Sequence, residues 1–303
     1  MRIVWCFLLL ASHLQAIPQY YCTAADSGYF KPLMGLIGSI HESNFDDLGE
    51  IAVFDIGLKK EEISQLENIQ KVRVYRVDTD NPDVLHFFYP PNARKTLGWY
   101  SWKPMVVKQS LDLFPYVLWI DAAATVLRPL NNLFESIVKN RYFLVTIGDE
   151  RKADGSPVHS VDWQTNGFLR EKFQLEKEEN RWILSQDCVT SCIVGASREA
   201  WDDFVGDWFE ATKDLRNFID DGIPYGYGCA RHDQAVLTLI AYTKKLTIFD
   251  QDFTQKNPIA LGEDLFYITW HHLFVDAKTS VYSSRQDLRA VPYFSSRIRL
   301  NSF

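Results

Sequence analysis

The sequence has no excess of positive charge. Its 303 residues include 32 Lys and Arg against 39 Asp and Glu, which gives a formal net charge of -7. A general nucleic-acid-binding protein needs surplus cations to neutralise phosphates, so this balance argues against that class. It leaves open a locally basic pocket for one anionic ligand.

Long apolar runs are missing after residue 16. The apolar stretch 3–11 follows Arg2 and precedes Leu14-Gln15-Ala16, a pattern typical of a secretory signal peptide. Residues 1–16 are therefore predicted to direct the chain into the secretory pathway or another extracytoplasmic space, with an uncleaved anchor as the alternative. No stable membrane span is expected in the remainder, and residues 17–303 are predicted to form one domain.

Cysteine is scarce, with five residues in the chain. Loss of the leader would remove Cys6 and leave Cys22, Cys188, Cys192 and Cys229. An even number in an exported chain permits two disulfides, in any of three pairings. The wide and irregular spacing disfavours a zinc site built from all four.

Short apolar segments alternate with amphipathic ones along most of the chain. Strands are predicted at 20–25, 51–56, 72–77, 142–147, 189–195 and 266–270. Helices are predicted at 59–68, 102–114, 198–215 and 232–244. This alternation predicts an α/β fold with a mixed, mainly parallel sheet flanked by helices.

The segment 116–130 is the most informative stretch. Its apolar run 117–120 has the pattern of a strand buried on both faces, and the run ends abruptly in Asp121. A carboxylate at the carboxyl end of such a strand lies where open α/β sheets bind their ligands. The plainer alternative is that Asp121 caps a turn.

Three other clusters stand at element boundaries. Asp26 follows the first strand, Asp233-Gln234 opens the helix 232–244, and His271-His272 follows the last strand. Each has an ordinary structural alternative, since Asp233 can be a helix N-terminal acid and the two histidines can be core residues.

The order of these clusters resembles the GT-A-fold nucleotide-sugar glycosyltransferases, in particular the retaining glycogenin and lipooligosaccharide galactosyltransferase type. Residues 24–29 (AADSGY) resemble that family's nucleotide-contacting turn, and 117–123 resemble the strand ending in its Asp-x-Asp metal motif. Asp233-Gln234 resembles the segment beside the reacting sugar. His272, followed by Lys278, resembles the late His–Lys motif.

The resemblance implies a role for each matching residue. Ala24, Asp26 and Tyr29 would hold the nucleoside of a nucleotide-diphosphate sugar, with UDP as the expected carrier. Asp121 and His272 would bind Mn2+ or Mg2+, for which oxygen and imidazole ligands are suitable. Lys278 would contact the diphosphate, and Lys103 stands where the family has a donor-contacting basic residue.

The resemblance also implies a reaction. Asp233 and Gln234 would face the sugar during its transfer, with retention, to a glycan, lipid or protein acceptor. Trp163 and Trp182 are candidates for stacking on an acceptor sugar.

One departure from the family pattern supports a different reading. Ala123 stands where the family has its second aspartate, which weakens any divalent site. The alternative function is therefore a catalytically inactive nucleotide- or carbohydrate-binding relative. A secreted sugar hydrolase is a third possibility, although its candidate acid pair, Asp202-Asp203, is expected on the solvated face of a helix. A serine hydrolase is disfavoured because the sequence contains no Gly-x-Ser-x-Gly motif.

Overall fold

The elements of the fold are taken from a computed structural model that describes residues 17–88, 96–126, 128–147, 152–157, 160–219, 231–249, 259–261, 264–266, 268–270 and 294–301. The strands are β1 Gln19–Ala25, β2 Leu48–Asp55, β3 Val72–Arg76, β4 Phe87–Phe88, β5 Thr96–Leu97, β6 Tyr116–Ile120, β7 Ala124–Val126, β8 Tyr142–Phe143, β9 Ile193–Ser197, β10 Ile259–Leu261, β11 Asp264–Phe266 and β12 Ile268–Trp270. The α-helices are α1 Phe30–Asn44, α2 Lys60–Glu67, α3 Trp102–Leu113, α4 Asn131–Asn140, α5 Gly167–Lys172, α6 Glu178–Arg181, α7 Gly206–Glu210 and α8 His232–Thr243.

The principal sheet has six strands in the order β3-β2-β1-β6-β9-β8. Strands β3, β2, β1 and β6 run parallel, whereas β9 is antiparallel to both β6 and β8. The prediction of a mixed, mainly parallel sheet in an α/β domain is confirmed. Because β2 and β3 lie on one side of β1 and β6 lies on the other, the strand order reverses between β1 and β6.

Each face of this sheet is covered by its own apolar core. The side chains of β6 point alternately into the two cores, with Val117 and Trp119 in one and Leu118 and Ile120 in the other. All four are at most 1% exposed, so the prediction of a strand buried on both faces is confirmed. Helix α1 packs on one face through Leu33, Leu36 and Ile37, and α3 and α8 pack on the opposite face.

Several predicted elements differ in extent from the structure. Of the strand predicted at 142–147, only Tyr142–Phe143 is a strand, followed by isolated bridges at Val145 and Thr146. The strand predicted at 189–195 begins only at Ile193, because residues 188–192 bend past the end of β6, where the Asp121 amide donates to the Cys192 carbonyl at 2.9 Å. The helix predicted at 198–215 is divided into a 3-10 turn, the π-helical segment Trp201–Val205, α7 and a second 3-10 turn. The Trp201 indole lies against Gly206 at this change of helical geometry.

Cys22 and Cys192 are free thiols, and Cys229 lies outside the described residues. The two disulfides that the sequence permits therefore stay a prediction. Residues 1–16 also lie outside the described part of the chain. Within that part, no helix combines the length and apolar character needed to cross a membrane.

The C-terminal segment 294–301 packs against α1 and α2 through a buried histidine. The Arg299 amide donates to Nδ1 of His41 at 3.0 Å, and Leu300 bridges to Ile69. Burial lowers the pKa of His41 from 6.5 to about 4, and the nearby charges of Arg299 and Lys71 lower it further. A backbone hydrogen bond with Gln70 acts in the opposite direction.

This histidine should make the protein sensitive to acid. The folded state favours neutral His41, so its contribution is fully present above pH 6.5 and is lost as the pH falls towards 4. The predicted loss is about 3 kcal/mol in the free energy of unfolding. Urea titrations between pH 7 and pH 4 should show this extra slope in the wild type and not in His41→Asn, whose side-chain oxygen can still accept from Arg299. Equal slopes would contradict the assignment.

Candidate active site

The candidate site lies at the carboxyl ends of β1 and β6, on either side of the point where the strand order reverses. Asp26 follows β1 directly, and Asp121 follows β6 directly. Both therefore stand where open α/β sheets place their ligands, as the sequence predicts. Both side chains are partly exposed, whereas the strands behind them are buried.

A buried lysine connects Asp121 to Asp233. Nζ of Lys103, at the start of α3, lies 3.1 Å from Oδ1 of Asp121 and 3.1 Å from Oδ2 of Asp233, at the start of α8. The side chains are 5% exposed for Lys103, 25% for Asp121 and 6% for Asp233. Burial alone would lower the pKa of Lys103, but the two carboxylates outweigh it and raise that pKa above its usual value, so the ammonium stays charged.

The chain before β9 completes this cluster. The Ser191 carbonyl accepts from Lys103 Nζ at 3.0 Å and from Trp119 Nε1 at 3.0 Å. Trp119 Nε1 also lies 3.1 Å from Oδ1 of Asp121, so one carboxylate oxygen is fixed by an indole and an ammonium. Burial and then the Asp121 charge raise the pKa of the Cys192 thiol, which therefore stays protonated beside Asp121.

The second predicted sugar-facing residue has a buried partner. Nε2 of Gln234 donates to Oε1 of Gln164 at 2.7 Å, and both side chains are about 5% exposed. This bond leaves the Gln234 side chain in one orientation beside Asp233. Gln164 belongs to a 3-10 turn within a stretch whose sequence shows no periodicity, which is why sequence reasoning missed it.

Asp26 and Tyr29 form a tight turn after β1. The Tyr29 amide donates to Oδ1 of Asp26 at 3.1 Å, and the Ser27 amide donates to the Gly57 carbonyl at 3.1 Å. Ala24 is buried in β1, and Tyr29 is 51% exposed. The turn is thus fixed to the neighbouring β2–α2 connection, and the Tyr29 ring lies at the surface.

A strained aromatic turn enters the site just before α3. Gly98, Trp99 and Tyr100 have positive φ values of 54°, 52° and 58°, a conformation uncommon for residues other than glycine. The rings of Trp99 and Tyr100 contact the His232 ring at 5.5 and 5.3 Å. Burial, followed by the proximity of Tyr29, raises the pKa of Tyr100 to about 12, although 38% of the residue is exposed. The sequence analysis did not predict this turn. Gly98 could have indicated it, because glycine readily adopts a positive φ.

The described residues do not fit a divalent cation. They contain no group of three or more His, Cys, Asp or Glu side chains placed to hold a metal ion. Ala123, which stands where the Asp-x-Asp motif has its second aspartate, is buried and has no atom that could bind a metal. The two acids that approach each other, Asp121 and Asp233, are bridged by an ammonium, which repels a second cation.

Two predicted ligands, His272 and Lys278, lie outside the described residues. The strand that leads towards them, β12, pairs with β7 so that Trp270 lies opposite Ala124. The residue before His271 is therefore paired with a residue three positions after Asp121. The metal-binding role of His272 and the phosphate-binding role of Lys278 stay predictions.

The proposed acceptor platforms, Trp163 and Trp182, are 37% and 45% exposed. Trp182 contacts Tyr242 edge-on at 5.9 Å. A separate cleft of about 470 Å³ lies beside α3 and is lined in part by Tyr75, Asp78 and Phe209. None of the predicted site residues lines it, so the lysine–carboxylate cluster remains the candidate site.

The sequence matches no family profile and no curated protein. Solved structures do share its fold. The mannosyltransferase Ktr4p from S. cerevisiae aligns with a TM-score of 0.51 at 11% identity, over 78% of this chain and 69% of that one. The galactosyltransferase LgtC, in complex with donor and acceptor sugar analogues, aligns with a TM-score of 0.41 at 16% identity, over 73% and 70%.

The glycosyltransferase GlyE from Streptococcus pneumoniae TIGR4 aligns with a TM-score of 0.42 at 14% identity, over 79% of this chain. The present chain spans only 46% of the length of GlyE. At these identities the likeness concerns the fold alone. The predicted GT-A-like α/β fold is confirmed.

Proposed function

We propose that this protein is a glycosyltransferase that moves a sugar from a nucleotide-diphosphate donor to a hydroxyl acceptor, with retention. The observation that carries the proposal is the convergence of Asp26, Asp121 and Asp233 at the carboxyl edge of a GT-A-like sheet. These residues come from three separate parts of the chain. The fold shared with Ktr4p, a mannosyltransferase, supports the same class of reaction.

In this proposal, a different part of the donor binds on each side of the point where the strand order reverses. The Asp26 turn, with Tyr29 at its surface, would receive the nucleoside, and UDP is the first nucleotide to test. Asp233 and Gln234, held by Lys103 and Gln164, would face the sugar. Asp121, which shares Lys103 with Asp233, would orient the bond that breaks.

In the proposed transfer, the bond between the anomeric carbon and the diphosphate oxygen breaks, and the electron pair leaves with the nucleoside diphosphate. The acceptor hydroxyl oxygen then bonds to the same face of the anomeric carbon, and its proton passes to the departing diphosphate oxygen. Oriented carboxylate and amide groups beside the anomeric carbon stabilise the positive charge that develops there. Lys278, whose place the structure does not describe, is proposed to meet the charge on the departing diphosphate.

Asp121→Asn tests the assignment of the central acid. Asparagine preserves the shape of the side chain but removes its charge, so donor turnover should fall at least about 100-fold. Turnover of UDP- and GDP-sugars should be followed by release of the nucleoside diphosphate, and nucleotide binding by thermal shift. Asp112→Asn, an exposed acid at the end of α3, is the matched control and should retain full activity. Equal activity of both variants would remove Asp121 from the mechanism.

Ala123 favours a second candidate function, a binding module that recognises a nucleotide or a carbohydrate without transferring a sugar. Its buried methyl group leaves Asp121 without the second aspartate of the family motif. Such a module would show a nucleotide-induced rise in Tm but no release of nucleoside diphosphate from any donor. Detectable turnover that Asp121→Asn abolishes would exclude it. Export by way of residues 1–16 and the identity of the acceptor also remain proposals.

A further inference from the structure

We infer that the Lys103 ammonium takes the place of a divalent cation at this centre, and that Lys103 is a positioning residue that holds Asp121 and Asp233 together. The role of Lys103 in donor binding rests on the proposed function. The statement about the protein alone, that Asp121 and Asp233 do not bind a metal, stands independently.

The contacts of Nζ show that this ammonium is fully engaged with the protein. Four oxygen atoms lie within 3.4 Å of it: one each from Asp121 and Asp233, and the carbonyl and hydroxyl oxygens of Ser191. A lysine ammonium has three N–H donors, fewer than these four acceptors. Lys103 therefore acts on a ligand through the carboxylates that it holds, which differs from the direct donor contact that the sequence resemblance implies.

Asp233 depends on this contact. Its Oδ2 atom is buried and makes no hydrogen bond within the described part of the chain, so the charge of Lys103 is its compensation. A divalent ion that bridged Oδ1 of Asp121 and Oδ2 of Asp233 would have to occupy the position that Nζ holds at 3.1 Å from each. Cation and ammonium exclude each other from that position because like charges repel.

Removing the ammonium should therefore convert the centre into a cation site. Lys103→Ala would leave two carboxylates facing an open space, and hard divalent cations prefer carboxylate oxygens. Mn2+ should raise the Tm of Lys103→Ala by about 5 °C at a hundredfold excess over Kd. The wild type and Lys108→Ala, a variant of a partly exposed lysine on the same helix, should show no rise.

Electron paramagnetic resonance of aqueous Mn2+ tests the wild type directly and needs no variant to fold. The wild-type protein should leave the free-ion signal unchanged, and any UDP or GDP affinity should be equal in EDTA and in Mn2+. Stoichiometric Mn2+ binding that Asp121→Asn abolishes would overturn the inference. Nucleotide binding that requires Mn2+ would also overturn it. The same holds if His272→Ala abolishes nucleotide binding in the presence of Mn2+ but not in its absence.

The test separates this inference from the proposed function. If no nucleotide or donor binds to folded protein, the proposed transferase function fails. The Mn2+ measurements on the protein alone still decide whether Lys103 occupies the position of the cation. Gain of Mn2+ binding by Lys103→Ala, together with none by the wild type, is a result that a merely structural lysine would not produce.

Discussion

Lys103→Met should lower the free energy of unfolding by about 3–5 kcal/mol, the usual effect of removing one partner from a buried ion pair. Methionine has a similar length but leaves the charges of Asp121 and Asp233 uncompensated in a centre where Lys103 is 5% exposed. Urea unfolding at pH 7, followed by tryptophan fluorescence, measures the change.

Lys108→Met is the matched control for this loss. Lys108 lies on the same helix and pairs with Asp112 at 2.6 Å, but the two side chains are 34% and 58% exposed. Exposed pairs of this kind contribute about 0–1 kcal/mol, so the control should remain near the wild type. Similar losses in the two variants would show that Lys103 contributes only through its aliphatic stem and not through the buried charge.

Gly98→Ala is expected to have the second-largest effect, a loss of more than about 2 kcal/mol in the free energy of unfolding. Two separate costs add at this position. Its φ of +54° is a conformation that side chains rarely adopt, and a Cβ atom would overlap the backbone carbonyl of Val84. Relief of that overlap would move Trp99 and Tyr100, so donor binding should also weaken.

Two other glycines separate these costs. Gly155 has a φ of +82° with nothing within 4 Å of an added Cβ, so Gly155→Ala measures the backbone strain alone. Gly167 has open space and no positive φ, and Gly167→Ala should be nearly neutral. Urea unfolding of the three variants should give the order Gly98, Gly155, Gly167 from the largest loss to the smallest. If Gly98→Ala is no worse than Gly155→Ala, the contact with Val84 is not a constraint.

The sequence predicts the parts of the fold that depend on local pattern. The apolar run of β6, which ends at Asp121, and the segment of β1, which ends at Asp26, predict both strands and the shared edge of the sheet. That prediction succeeds because burial on both faces produces a continuous apolar run, and because parallel strands present their carboxyl ends together.

The parts that were not predicted depend on contacts between distant segments. No local pattern predicts that Lys103 on α3 bridges Asp121 and Asp233, or that Gln164 pairs with Gln234. Both contacts form only when the start of α8 is placed against segments that are distant in the sequence. The antiparallel direction of β9 is equally invisible, because a fully buried strand has the same apolar run in either direction. The positive φ values of Trp99 and Tyr100 are imposed by the packing around them and oppose their own preference.

The position of β1 within the sheet has a consequence for synthesis of the protein. This strand is made early but lies in the interior of the sheet, where Tyr21 is paired with Ile51 on one side and Leu118 on the other. On the ribosome, one edge of β1 therefore remains unpaired until β6 has emerged. The contact between Lys103 and Asp233 forms later, because Asp233 is more than 100 residues further along the chain than β6. A nascent chain with an open apolar edge is prone to wrong pairing. The interval before β6 emerges is thus the period in which the nascent chain is most exposed to wrong strand pairing.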